Sequence, residues 1–472
     1  MIKFRAGAGN RAAPFPRLRG LSGLAAAIAV TGMLVAACAS SQAASRTAST
    51  GPARTGSAGA GSARQSGGTG DCDSVTTCYT PRQIRVAYGI QPLLNRGING
   101  RDEAIVLPEL ATRPGPAPQV SNIRQDLAEF DSMFGLPAAQ LRVLTRLAGP
   151  VSPWLADGEE VLDLEMAHVV APDATLVVVL VKTTALNNTK NAVAAAVASI
   201  RLGVSQGGVI SISAAGQVGG EHCDTRAQVS RLHAALLDAA DHRVTVVAAS
   251  GDIGVVGEPC NLIAALTGGK FRPVKGASLP ASDPLVLAAG GTSLAASHQT
   301  GAYRSETAWG LPFGDPGSAF QASGGGFSRD FSRPGYQDHI AGIEAARGVP
   351  DVAADASGHT GMALVISDHG HPSIRNSGGT SASAPFWAGI IALADQYAGR
   401  HLGLVNPAIY RIGRSAARHQ AFHDIMTGDN TVRFPPRTFT GYRAAPGWDP
   451  VTGWGSPDAR LLVPLLARLD RH

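Results

Sequence analysis

The string Ser377-Gly378-Gly379-Thr380-Ser381-Ala382-Ser383-Ala384-Pro385 runs directly into the apolar segment Phe386–Ala394. It surrounds the hydroxyl of Ser381 with side chains small enough for another backbone to come close. A helix beginning at that serine would aim unpaired backbone N–H groups at a developing oxyanion, as nucleophilic catalysis requires. Glycine and serine also build ordinary loops. A serine nucleophile needs a base, and the candidates here are mostly acids. In Gly158-Glu159-Glu160-Val161-Leu162-Asp163-Leu164-Glu165, Glu159 and Asp163 stand four apart, so a helix puts both carboxylates on one face. The same acids would also suit a solvated helix start beside the positive end of the dipole. Ser250-Gly251-Asp252 follows the apolar run Val244–Ala249. Asp252 therefore occupies a strand-end turn, a place for a catalytic acid or for plain turn chemistry. His168, further along the acidic helix, is the rival base.

These residues need a frame. Short apolar runs at Ala104–Leu107, Thr175–Val181, Gly208–Ser213, Val244–Ala249 and Leu285–Ala289 read as strands. Between them Ser121–Phe134, Glu159–Val170, Lys190–Arg201 and Ala227–Ala240 carry helical patterns. Continuous β-branched runs alternating with amphipathic helices predict an α/β fold with a largely parallel sheet covered on both faces. Active sites in such folds gather at the carboxyl ends of the strands. With 472 residues, 44% of them hydrophobic, 57 glycines and only 5% aromatics, the composition suits a loop-rich α/β enzyme.

The formal charge of +5 is local. Lys3, Arg5, Arg11, Arg17 and Arg19 lie in the first 37 residues, which hold no acid, and the remainder carries 35 residues of each sign. No basic patch argues for nucleic acid. The basic stretch, the apolar run Leu21–Ala37 and the small residues after it form the three parts of an export signal over residues 1–37. The run ends Val35-Ala36-Ala37-Cys38, similar to a bacterial lipobox in which Cys38 becomes the lipidated first residue; an ordinary cleaved signal and an uncleaved anchor are the other readings. Residues 38–71 are an Ala/Ser/Gly-rich linker that spans roughly 30 Å as a random coil. Four cysteines follow: Cys72, Cys78, Cys223 and Cys260. Outside the cytosol they suggest two disulfides, most simply 72–78 and 223–260, with three pairings formally open. Zinc is the weaker reading, because no CxxC pair or Cys/His cluster stands in the sequence.

Further strings run in one order from residue 79 to about 465. They include Tyr79-Thr80-Pro81, Ala87-Tyr88-Gly89, Val209-Ile210-Ser211-Ile212-Ser213 and Pro280-Ala281-Ser282. Beyond these come Ser323-Gly324-Gly325-Gly326-Phe327-Ser328, Gly348-Val349-Pro350-Asp351-Val352, Phe422-His423-Asp424-Ile425 and Gly447-Trp448-Asp449 with Thr452-Gly453. Together with the serine and carboxylate segments they resemble the sedolisins, the serine-carboxyl peptidases. The resemblance implies a subtilisin-like fold over residues 72–472 and hydrolysis of protein or peptide bonds in acid by a monomeric endopeptidase. It makes Ser381 the nucleophile, Glu159 its general base and acid, Asp163 the residue that orients Glu159, and Asp252 the oxyanion donor. Glu109, ending Ala104-Ile105-Val106-Leu107-Pro108-Glu109, extends the carboxylate network. One calcium ion is implied at the carboxylates of Asp424 and Asp449 and the carbonyls of Ile425, Ala445 and Gly447, all oxygen donors as a hard cation requires. Membrane contact is expected only through the lipid at Cys38, outside the cytoplasm.

The sequence departs from the family in several places. Only the linker stands where the family carries a long folded propeptide, Ala214 replaces a frequent tryptophan, and Ser278 stands near an acidic cleft position of the family. A His-dependent subtilisin-like peptidase and an inactive tethered binding module are the competing readings. Against the former, the Asp-Thr-Gly and His-Gly-Thr-His strings of the subtilisin branch do not occur.

Overall fold

The computed structural model describes residues 78–469 apart from 112–120, 150, 152–154, 157, 183, 185–186, 214–217, 262–270, 311–320, 369 and 377. The expectations for Cys38, Cys72, Ala214, the signal and the linker therefore lie outside the described residues.

The central sheet contains strands β1 (Ala104–Ala111), β2 (Gln140–Leu147), β3 (Thr175–Lys182), β4 (Val209–Ile212) and β5 (Thr245–Ala249). They continue with β6 (Leu287–Ala296), β7 (Tyr303–Ala308) and β8 (Val352–Asp355). The sheet order is β7-β6-β5-β4-β1-β3-β2, with β8 also beside β6. Its pairings are parallel except that of β6 with β7. Side chains alternate between two cores, as the period of two in a strand requires. Ile105, Leu107, Leu176 and Val178 pack on one face beneath helices α2 (Gly158–Val170), α5 (Thr380–Ala398) and α6 (Ala459–Leu469). Val106, Val177, Val179, Ile210 and Ile212 pack on the other beneath α3 (Thr189–Val204) and α4 (Arg226–Asp241). Strands buried on both faces read as unbroken apolar runs, which is why these were visible in the sequence.

Strands β2, β7 and β8 were not anticipated, and β8 is only four residues long. Gln140-Leu141-Arg142-Val143 and Tyr303-Arg304-Ser305-Glu306 lie at the two edges of the sheet, where one side meets water and apolar continuity is lost. The helix starts carry their own reasons. Asn122 caps α1 (Ile123–Phe134) by accepting from the Arg124 and Gln125 N–H groups, and Thr225 forms a capping box with Gln228 at α4.

Helix α5 begins at Thr380, so Thr380–Pro385 of the small-residue string form its start, with Gly379 as the residue before it. Pro385 sits inside it. Having no N–H, Pro385 cannot bond the carbonyl four residues back, that of Ser381. The Ser213 hydroxyl, just past β4, lies 3.4 Å from that carbonyl and shares its one proton between it and the nearer Asp163 carboxyl.

Helices α2 and α5 lie against each other closely enough that a Cβ built on Gly389 would fall 2.6 Å from the Val170 Cβ. The side chain missing at Gly389 sets the separation of the acidic helix from the serine helix. Gly389→Val should therefore overpack this contact and cost about 1–3 kcal/mol. Denaturant unfolding checks it; an unchanged midpoint would show that the two helices can part freely.

Candidate active site

Three neighbouring parallel strands, β5, β4 and β1, deliver their carboxyl ends to the start of α5. Ser381, 9% exposed, occupies its first turn. Gly379 before it adopts φ 95°, and a Cβ there would meet the Asp252 Oδ2 at 2.8 Å, so a glycine is needed both for the turn and for the close approach. The turn after β5 brings in Asp252. Its Oδ1 accepts two hydrogen bonds from Thr380, from the backbone N–H at 2.7 Å and from Oγ1 at 2.7 Å. The Gly251 N–H donates back to Thr380 Oγ1 at 3.1 Å. One carboxylate oxygen is thus committed to the residue before Ser381, and Oδ2 is left to carry a proton. Burial raises the Asp252 carboxyl above the ordinary aspartate range, against the pull of the Thr380 bonds.

On the other side stands the acidic face of α2. Asp163 is fully buried, and its Oδ1 accepts from the Ser213 hydroxyl at 3.0 Å. Ser213 so touches both the Ser381 carbonyl and the Asp163 carboxylate. Glu109, buried near the end of β1, is hydrogen-bonded to Asp163. Burial, then the charges of Asp163, Glu160 and Glu159, hold the Glu109 carboxyl well above its ordinary value. Asp163 moves the same way, by burial first and then by Glu159, while its bonds from Ser213 and Glu109 oppose the shift. Both carboxyls are raised and joined by one hydrogen bond, so the pair shares a proton and titrates as a unit. Glu159, half-buried one turn before Asp163, acts on both through its charge. The structure thus brings Ser381, Asp163, Glu109 and Asp252 around the start of α5, with Glu159 on the adjoining helix face.

His168 is elsewhere. It is buried, with Nε2 at 2.9 Å from Asp131 Oδ1 of α1 and 3.0 Å from the Pro137 carbonyl. Five residues after Asp163, it lies on a different face of α2.

Cys223 and Cys260 form a disulfide of 2.08 Å, as expected. Cys78 is also disulfide-bonded, while Cys72 lies outside the described residues. Among the described residues one group of three could geometrically hold a metal, His222 with Cys223 and Cys260, a cluster not visible in the sequence. Its two sulfurs are spent on each other, so zinc has no thiolates there.

The expected calcium residues do meet. The Gly447 N–H donates to both oxygens of Asp424, at 3.1 and 2.9 Å. Asp449, buried, accepts from the Ala445 N–H at 3.1 Å and from the Val451 and Thr452 N–H groups at 2.8 and 2.9 Å. Burial pushes its carboxyl up to about 6. Among the described residues no hydrogen bond ends on the carbonyls of Ile425, Ala445 or Gly447. Two carboxylates and three uncommitted carbonyls fit a hard cation.

Sequence reasoning gave no role to Ser213, Thr380 or Glu160. Ser213 was visible at the end of a strand and Thr380 inside the serine string. Only their partners, 50 and 128 residues away, reveal what they do.

The chain belongs to the subtilase family, whose profile matches residues 152–420. It is 34% identical to kumamolisin of Bacillus sp. (strain MN-32) over 403 residues, which cover 83% of this chain and 64% of that protein. Sedolisin of Pseudomonas sp. (strain 101) is 33% identical over 214 residues, 45% of this chain and 33% of the relative. The chain thus spans less than two thirds of these curated relatives. The solved Pseudomonas sedolisin, a serine-carboxyl proteinase complexed with two molecules of pseudo-iodotyrostatin, superposes with a TM-score of 0.64 at 25% identity. That match covers 82% of this chain and 97% of the other.

Among the described acids with displaced titration, every one is displaced upward, Glu258 and Asp224 to about 7. A raised acid keeps its proton in the folded state where the unfolded chain, titrating near 4, has lost it. Its contribution to stability is complete below that pH and is lost as pH rises towards the folded value. Burial pushes His222 and His423 down, which opposes this below about pH 6.5, but the carboxyls are far more numerous. The melting temperature, measured with chelator present, should fall from about pH 4 to pH 7. A steady rise over that interval would contradict the shared-proton description.

Proposed function

We propose that this chain is a serine-carboxyl endopeptidase that hydrolyses protein or peptide substrates in acid. Ser381 is the nucleophile, Glu159 its general base, Asp163 the group that orients Glu159, and Asp252 the oxyanion donor. Glu109 extends the carboxylate network and shares a proton with Asp163. The observation that carries this reading is the connection Asp163–Ser213–Ser381, which ties the acidic helix to the serine turn with no histidine between them. In the acylation step Ser381 Oγ attacks the scissile carbonyl carbon and gives its proton to Glu159. Protonated Asp252 donates from Oδ2 to the carbonyl oxygen as charge develops there. Glu159 then passes the proton to the leaving amine. Deacylation repeats the sequence with water as nucleophile and Ser381 as leaving group. The bonds of His168 to Asp131 and Pro137 speak against a histidine base.

Oxyanion donation requires a protonated Asp252, whereas proton uptake requires an ionised Glu159. Both hold only where the coupled carboxyls are partly protonated. The rate should therefore peak in acid and fall towards neutrality. Ser381→Ala should abolish both turnover and labelling by a fluorophosphonate. Asp252→Ala should cost on the order of 100- to 1,000-fold in kcat. Asp252→Asn, a donor at every pH, should lose less on the alkaline side. A maximum above neutrality that survives Asp252→Ala and disappears in His168→Ala would overturn the assignment.

Asp424, Asp449 and the carbonyls of Ile425, Ala445 and Gly447 would hold one calcium ion, which when bound supplies a cross-link between distant loops. A ligand bound only by the folded state adds about 2.7 kcal/mol at 100 times its Kd. Chelation should accordingly lower the melting temperature, and no change on chelation would remove the site. For residues outside the described range we propose export by the signal, lipidation of Cys38 and a peptidase domain tethered by residues 38–71 outside the cytoplasm. The mass of the mature N-terminal peptide decides the lipid. No helix among the described residues is long and apolar enough to cross a membrane.

A further inference from the structure

Asp252 can aim its carboxyl only if its own backbone is fixed, yet it lies beyond the end of β5, where no ladder partner remains for its N–H. A backbone donor withdrawn from water needs an acceptor. That acceptor is a side chain: the Asp252 N–H donates to Glu258 Oε1 at 2.7 Å. The rest of the turn is held by the Ala322 N–H on the Asp252 carbonyl at 2.9 Å, the Gly324 N–H on the Gly251 carbonyl at 2.7 Å, the Gly251 N–H on Thr380 Oγ1 at 3.1 Å and the Ser250 hydroxyl on the Gly324 carbonyl at 2.7 Å.

Glu258 is itself fastened at several points. Its N–H donates to Ser278 Oγ at 3.0 Å, and its carbonyl accepts from the Gly220 N–H at 2.8 Å. The preceding Gly257 N–H donates to the Val274 carbonyl at 3.0 Å. Two residues further on, Cys260 is bonded to Cys223, at the end of the short helical turn Glu221–Cys223. The disulfide therefore closes a strap over residues 257–260 whose one carboxyl reaches back to the oxyanion aspartate.

We propose that Glu258 is a positioning residue for Asp252, and that the Cys223–Cys260 disulfide holds it in place. The proposal rests on the reading of Asp252 as oxyanion donor. Burial, and then the charge of Asp252, push the Glu258 carboxyl up to about 7. In acid it is neutral, and Oε1 accepts as a carbonyl oxygen without placing a second negative charge beside the oxyanion. A glutamine offers the same acceptor in the same shape.

The test is kcat and KM at the acid optimum, with kcat expressed per Ser381 labelled to completion by a fluorophosphonate, so that misfolded protein is not counted. Misplacing a catalytic group by about 1 Å can cost up to about 100-fold. Glu258→Ala should accordingly lower kcat by about 10- to 100-fold with KM little changed, while Glu258→Gln stays within about threefold of the parent. The double variant Cys223→Ser, Cys260→Ser should lose kcat to a similar degree, and adding Glu258→Ala to it should cost nothing further. A Glu258→Ala protein that melts lower but keeps its kcat per labelled serine would overturn the positioning role. Equal losses in the Ala and Gln variants would also overturn it, and additive losses would overturn the part of the disulfide. An unlabelled, inactive parent would instead sink the peptidase reading itself, and this proposal with it.

Discussion

The separation of two helices governs this molecule. Helix α2 carries the carboxylates and α5 carries the serine. They meet where Gly389 presents no side chain to Val170. Protein interiors are packed too tightly for an extra methyl to be absorbed without movement. The gap at Gly389 is therefore what lets Asp163 come within one serine hydroxyl of the first turn of α5. Everything proposed about proton transfer at Ser381 depends on that approach.

Close packing creates the electrostatic problem that the chemistry exploits. Glu109, Glu159, Glu160 and Asp163 lie near one another, all but Glu159 withdrawn from water, and Glu109 is hydrogen-bonded to Asp163. Buried like charges cannot all ionise, so protons are shared and the cluster titrates as a unit. On the far side of the serine, Asp252 spends one oxygen on Thr380 and keeps the other for a proton. A histidine base would have needed none of this. The one on α2 is bonded to α1 instead.

Small backbone irregularities connect the two sides. Pro385 takes a hydrogen bond away from the Ser381 carbonyl, and Ser213 shares its one proton between that carbonyl and Asp163. Gly379, with its left-handed φ, lets Asp252 lie against the start of α5. The disulfide and Glu258 steady the turn from which Asp252 projects.

Local periodicity made much of this legible in the sequence alone. Runs such as Thr175–Val181 are apolar on both faces, and so declared themselves as central parallel strands. The spacing of Glu159 and Asp163 placed them on one helix face, and the serine string marked a helix start. Edge strands β2 and β7 escaped notice because water on one side dilutes their pattern. The partnerships at the site were decided by the tertiary structure. Thr380 and Asp252 are 128 residues apart, Ser213 and Asp163 are 50 apart, and nothing local to either member specifies the other. The same holds for Asp424 and Asp449, which share a loop cluster only after folding, and for Glu258, which carried no motif. A sequence records which faces must be buried through their spacing along the chain. Which buried groups then touch depends on how the sheet and its helices stack, and that is settled by packing over distances that no local pattern encodes.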